Sequence, residues 1–213
     1  MEDALRKLRE IRNEGKDFVQ DGFPLFHNNK SFFMRDLPSD LGLIIVPFNL
    51  NNQNQVNNLK NWAEIYNNYK DSINIIFMNN SLEKSDSTEE IYRIFEEIGL
   101  SGSLVYYDEF GTISSFIQDN SNIGNLGYCI LNRDNYVYQR GYVSNSVPNM
   151  DNIIVDLNEV SKEFTEQEEL IITKYNEGYI ITYADVGKVL NGEIGNEPLD
   201  KNTEEVVEEN NDD

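Results

Sequence analysis

Three sets of side chains in this chain have types that could do chemistry. They are the thiol of Cys129, the imidazole of His27, and the carboxamides of Asn49, Asn51, Asn52, Gln53 and Asn54. Cys129 is the only cysteine and His27 the only histidine. A single thiol excludes an internal disulfide and any metal site built on two cysteine ligands. It stands in "LGYCILNRDN", between Tyr128 and Ile130, in the pattern of a short buried strand. Apolar burial keeps a thiol protonated, so Cys129 is expected to be an inert core residue and not a nucleophile. His27 precedes "NNKSFF" with no Ser or Cys nucleophile beside it, and reads as a surface residue.

Other signatures are missing or weak. The chain has no G-x-x-x-x-G-K-[ST], no G-x-S-x-G and no H-E-x-x-H. "DNSNIG" at 119–124 has some of the polar spacing of a calcium loop, but Ile123 and Ile130 fall on ligand positions, which excludes it. Glu96 with Glu97, on a helix face, and Asp108 with Glu109, in a turn, both read as solvated surface pairs. Tyr106, Tyr107, Tyr136 and Tyr138 alternate as sheet-packing residues do. No metal site and no cofactor site is expected.

The amides are placed where α/β proteins keep their chemistry. In "GLIIVPFNLNNQNQVNNLKNWAEIYNNY" (42–69) an apolar strand runs into the polar loop, and an amphipathic helix follows with Val56, Leu59, Trp62, Ala63, Ile65 and Tyr66 on one stripe. A second buried strand is expected at 73–78, then a helix at 88–98 opened by a Ser-x-x-Glu capping box at Ser87 and Glu90. Strands at 104–107, 127–132 and 135–142 follow, the last two joined by the tight turn Arg133, Asp134, Asn135. "GTISSFIQ" reads as a short helix, and a closing helix as Met150 to Phe164. "FPLFH" and "KSFFMRDL" suit a pair of small strands. Residues 1–19 read as a helical lead-in with Leu5, Leu8 and Ile11 on one face. "EGYIITYADVGKVLNG" adds a strand and a helical turn.

This order resembles the thioredoxin-like fold, and within it the redoxin branch of peroxiredoxins and thiol-disulfide proteins. The carriers are "FPLFHNNKSFFMRDLPSDLGLIIVPF" ahead of the first buried strand, "LVYYDEFGTISSFI", and "CILNRDN" at the hairpin, together spanning about residues 22–165. The resemblance implies an α/β fold: a thioredoxin-like mixed β-sheet flanked by helices, with an N-terminal helix and a C-terminal extension. It divides the chain into a lead-in (1–21), the redoxin domain (22–165), an extension (166–195) and an acidic tail expected to be disordered (196–213). Laying "VPFNLNNQNQ" on the branch's "FWATWCPPCR" puts Asn51 and Asn54 where two reactive cysteines would be. The proline that faces those cysteines has no counterpart, Leu126 or Gly127 taking that place. An amide cannot attack a disulfide or a peroxide.

Composition bounds the partners. The formal charge is −21, from 38 acidic and 17 basic residues, which disfavours nucleic acid and anionic membrane surfaces. No apolar run spans a bilayer and the N-terminus lacks a secretory h-region, so the expected location is cytoplasmic. The expected function is that of a catalytically inactive redoxin-like protein, a protein-binding or accessory subunit, with a partner that is basic or part of a larger assembly. The alternative is a thiol-dependent oxidoreductase or peroxidase using Cys129 alone or with a partner's thiol.

Overall fold

The computed structural model describes residues 1–19, 22–27, 30–37, 40–80, 88–103, 105–108, 111–117, 126–143 and 147–193. Ser87, "DNSNIG" and the acidic tail lie outside them. Two compact units form: Gly15–Ser161, and Met1–Glu14 with Lys162–Asp213.

The first unit is a seven-stranded mixed sheet in the order β2-β1-β5-β4-β3-β6-β7. Its strands are β1 (Pro24–His27), β2 (Lys30–Phe33), β3 (Gly42–Phe48), β4 (Asn74–Asn79), β5 (Val105–Tyr107), β6 (Leu126–Asn132) and β7 (Val137–Tyr142). Each of the five strands expected from 43 to 142 is found, within two residues at its ends. Helices α2 (Gln53–Tyr69) and α3 (Thr88–Glu97) join the parallel strands β3, β4 and β5. Successive right-handed crossovers step the chain one way across the sheet, which puts both helices on one face. Leu59 and Trp62 of α2 and Ile91 and Phe95 of α3 accordingly pack with Ile44, Val46, Phe48 and Phe77. The opposite face is covered by the short helix α4 (Thr112–Ile117) and by Val19, Met34 and Leu37, over Leu25, Leu43, Ile45, Ile76 and Cys129. β3 is therefore buried at all seven residues, which explains why it reads as an unbroken apolar run.

Pro47 interrupts this central strand. β3 pairs with β6 from Gly42 opposite Asn132 to Ile45 opposite Cys129, and the ladder stops there. Continuing that register would set Pro47 opposite Gly127, and proline has no N–H to give. On the other side the hairpin closes as expected: Asn132 Oδ1 accepts the N–H groups of Asp134 and Tyr136 at 3.0 Å, and Asn135 takes a φ of 63°.

The second unit contains α1 (Glu2–Arg12), the C-terminal part of α5 (Met150–Asn176) and α6 (Tyr183–Leu190). Ala4 and Leu8 of α1 pack with Ile171, Val186 and Val189. The guanidinium of Arg12 lies 3.8 Å over the ring of Phe164 and bonds Glu168 at 2.8 Å. Thr182 and Asp185 form a reciprocal capping box that starts α6.

Three expectations change. The lead-in helix ends at Arg12 and not near 19, where the run 13–15 turns the chain and Gly15 adopts a φ of 79°. The closing helix does not stop at Phe164 but continues to Asn176, because Phe164, Gln167 and Ile171 prolong its buried stripe and no glycine intervenes before Gly178. No strand forms among the described residues between α5 and α6.

A side chain at Gly141 has no room, since a Cβ there would lie inside the ring of Tyr128, its cross-strand partner. Gly141→Ala is expected to cost about 1–3 kcal/mol in urea denaturation, the range of core overpacking.

Candidate functional site

The polar loop sits at the carboxyl end of β3, as expected, and its amides serve the backbone. Asn49 Oδ1 accepts the N–H of Asn51 at 2.8 Å. Asn52 is the N-cap of α2, and its Oδ1 accepts from Asn54 N–H at 3.1 Å and Gln55 N–H at 3.4 Å. Those first-turn donors, with the helix dipole, are what would hold an anion or a thiolate at a helix N-terminus. Here a neutral side chain of the loop itself takes them. Asn51 and Asn54 are both exposed, one just before the helix and one in its first turn.

Two further amides were not singled out in the sequence. Gln55 and Asn58 are buried, at 2% and 7% exposure, although both are polar. Asn58 Nδ2 donates to Gly127 O at 2.8 Å, tying α2 to the start of β6. That is the carbonyl which the register sets opposite Pro47. A signal for the pair existed: Gln55 and Asn58 lie four residues before Leu59 and Trp62, on the helix face that enters the core.

Cys129 is not near this arrangement. It faces the α4 side of the sheet, whereas α2 covers the other. It is fully buried, with Ile45 and Arg140 as its strand neighbours. Burial pushes its pKa up from 9.0 to about 12, Arg140 pulling weakly back and Asp17 pushing up. The expected burial of Cys129 in the core is found, and at neutral pH such a pKa leaves the thiolate scarce.

Two readings are corrected. His27 is half-buried at the end of β1, not a surface residue. Its Nδ1–H donates to Val105 O at 2.7 Å, and its ring lies 5.4 Å from that of Tyr106. Asp108 is not solvated but 1% exposed, and its carboxylate accepts the N–H of Ser114 at 2.7 Å, capping α4. A short polar residue right after an apolar strand is a helix-start signal, which the neighbouring Glu109 obscured. The four tyrosines behave as expected. Tyr106 is in the core, Tyr107 and Tyr138 pack against it, and Tyr136 lies against Phe18 with centroids 4.7 Å apart.

Among the described residues no three His, Cys, Asp or Glu side chains gather as a metal site. A cleft of about 120 Å³ opens at the amino ends of β3 and β4, lined by Leu37, Leu43, Tyr66, Ile75, Ile76 and Tyr106, away from the loop. No described helix is long and apolar enough to cross a membrane.

Replacing Asn58 strands the Gly127 carbonyl, so Asn58→Ala is expected to lower stability by about 1–3 kcal/mol in urea melts. The thiol makes a pH-dependent contribution. Its pKa is raised on folding, so its stabilisation is complete below 9.0 and is lost as pH rises towards about 12. The stability difference between the native chain and Cys129→Ala should hold constant below that window and shrink across it, by up to about 4 kcal/mol.

No protein-family model and no curated protein sequence matches the chain. Solved structures do. A protein of Aquifex aeolicus VF5 described as an electron transfer protein aligns with a TM-score of 0.51 at 14% identity, covering 67% of this chain and 92% of that one. A thioredoxin-like protein of Porphyromonas gingivalis gives 0.47 at 16% identity over 68% and 92%. The bacterioferritin comigratory protein of Xanthomonas campestris, an alkyl peroxide reducer, gives 0.49 at 11% over 69% and 98%. At such identities the likeness concerns fold alone, and the strand order found here meets the expected mixed β-sheet flanked by helices. The chain has a thioredoxin-like α/β fold and carries a single cysteine.

Proposed function

We propose that the chain is a redoxin-type protein that performs no thiol chemistry and acts as a protein-binding or accessory subunit. The carrying observation is the disposition of its polar groups at the α2 end. Asn51 and Asn54 stand at the positions the resemblance gives to reactive cysteines, and the helix donors that would stabilise a thiolate are bonded to Asn52. Cys129 cannot substitute for them, being fully buried on the other face of the sheet. The fold is thus kept while the site that would act on a disulfide or peroxide is furnished with groups that cannot.

A binding role leaves surface as the working part. Tyr175, Ile180 and Tyr183 of the helical unit are exposed at 47%, 47% and 62%. Aromatic and aliphatic side chains left in water suit contacts with another protein. The −21 charge favours a partner with basic surface and disfavours nucleic acid. Affinity for such a partner should fall as salt rises, because exposed charges are screened.

The test is activity followed by capture. The purified chain should neither reduce insulin disulfides nor consume peroxide, and a sulfenic-acid probe should leave Cys129 unlabelled after peroxide treatment. A protein captured from the native cell should bind Cys129→Ser and the native chain alike. Peroxide turnover that disappears in Cys129→Ser would instead establish the thiol-dependent alternative.

A further inference from the structure

Residues 15–19 belong to no strand, yet they lie on the sheet as a strand would. Val19 N–H donates to Asn135 O at 2.9 Å, Val137 N–H donates to Asp17 O at 2.8 Å, and Phe18 bridges Tyr136 in the antiparallel sense. Three successive side chains each meet a specific counterpart. The Asp17 carboxylate pairs with Arg140. The Phe18 ring lies against Tyr136 with centroids 4.7 Å apart. Val19 is fully buried in the layer that contains Cys129, Leu131 and Val137. Arg140 is also held by Ile117 O, which accepts from its Nε at 2.7 Å, so its place does not depend on Asp17 alone.

β7 is the last strand of the sheet, and a bare sheet edge is a template for pairing with another chain. What covers it is a short segment with no regular structure of its own. Lys16 and Asp17 are exposed, and Gly15 turns at a φ of 79° with nothing near its Cβ position. The β6–β7 ladder beneath is paired independently of this segment, whose only fully buried side chain is Val19.

We propose that the β7 edge at Tyr136 to Arg140 is a docking site for an extended segment of a partner protein, one presenting an acidic, an aromatic and an aliphatic residue in succession. Asp17, Phe18 and Val19 occupy it in cis as an autoinhibitory strap. The inference rests on the protein-binding reading above and names one surface for it. Strand addition supplies backbone bonds, and alternate side-chain contacts supply selectivity. The acidic residue matches Arg140, which pairs with the Asp17 carboxylate in the strap. Because the strap is tethered, its effective concentration excludes a free peptide until it is weakened.

The experiment uses a labelled synthetic peptide of residues 14–22 and the full chain carrying Asp17→Lys with Val19→Ser. The double variant should bind the peptide at least about tenfold more tightly than the native chain, the native strap acting as an intramolecular competitor. The peptide carrying Asp17→Lys should lose that gain. Cys129, under the strap, should react faster with a thiol reagent in the double variant, and added peptide should restore the native rate. A folded double variant that shows no gain in affinity, or whose thiol exposure the peptide does not reverse, overturns the proposal. Should the double variant not fold, Asp17→Asn alone decides: faster thiol labelling with an unchanged melt supports the strap, and an unchanged rate overturns it. None of these readouts depends on peroxide activity or on capture of a partner, so they fail separately from the function proposed above.

Discussion

β3 is the constraint on which the sheet unit is built. All of its residues are buried, it is paired along both edges, and it must be covered on both faces. An apolar strand of this kind needs a layer of side chains on each side, and the chain supplies them from different sources. One face receives two crossover helices and the start of α5. The other receives α4 and irregular chain. The exception within β3, Pro47, propagates further. It cannot extend the antiparallel ladder, the β6 carbonyl opposite needs another donor, and the buried Asn58 provides one. The second turn of α2 is thereby fixed against the start of β6.

The same economy of hydrogen bonds decides what the α2 end can do. A helix N-terminus at the end of a parallel strand presents free donors and a positive dipole, which is useful for holding an anion. In this chain Asn49 and Asn52 turn their own oxygens onto the loop and the first turn. Two of the first-turn donors are thereby bonded to a side chain of the loop itself. The one thiol is stabilised in the wrong state by its surroundings, since desolvation outweighs the cation of Arg140. These two facts arise on opposite faces of the sheet and point the same way.

Much of this was legible in the residues. The apolar runs at β3 and β4, the helical stripe of Leu59, Trp62 and Ala63, and the turn Arg133 to Asn135 each declare an element through local periodicity or turn chemistry. The order of those elements carried the fold. What escaped was polar burial. Gln55, Asn58 and Asp108 are buried, Asn58 with its amide on the Gly127 carbonyl and Asp108 with its carboxylate on the Ser114 N–H, and composition assigns such residues to the surface. Helix ends escaped for a related reason. The end of α1 falls at the turn before Gly15, and α5 runs on along a stripe whose Ile171 is buried against Leu8 and Val186, residues far apart in the chain. The resemblance placed Asn51 and Asn54, but only the hydrogen bonds of Asn52 show why an amide there closes the helix end.

The central claim is that folding keeps the single thiol protonated and withdrawn. It is tested most directly by the ultraviolet thiolate absorbance of the native protein as pH is raised, taken as a difference against Cys129→Ala to remove the tyrosines. The account predicts no thiolate at neutral pH and none at the ordinary value of 9.0, with absorbance appearing only towards about 12 or on unfolding. A thiolate that forms in the folded protein at or below neutral pH would contradict it.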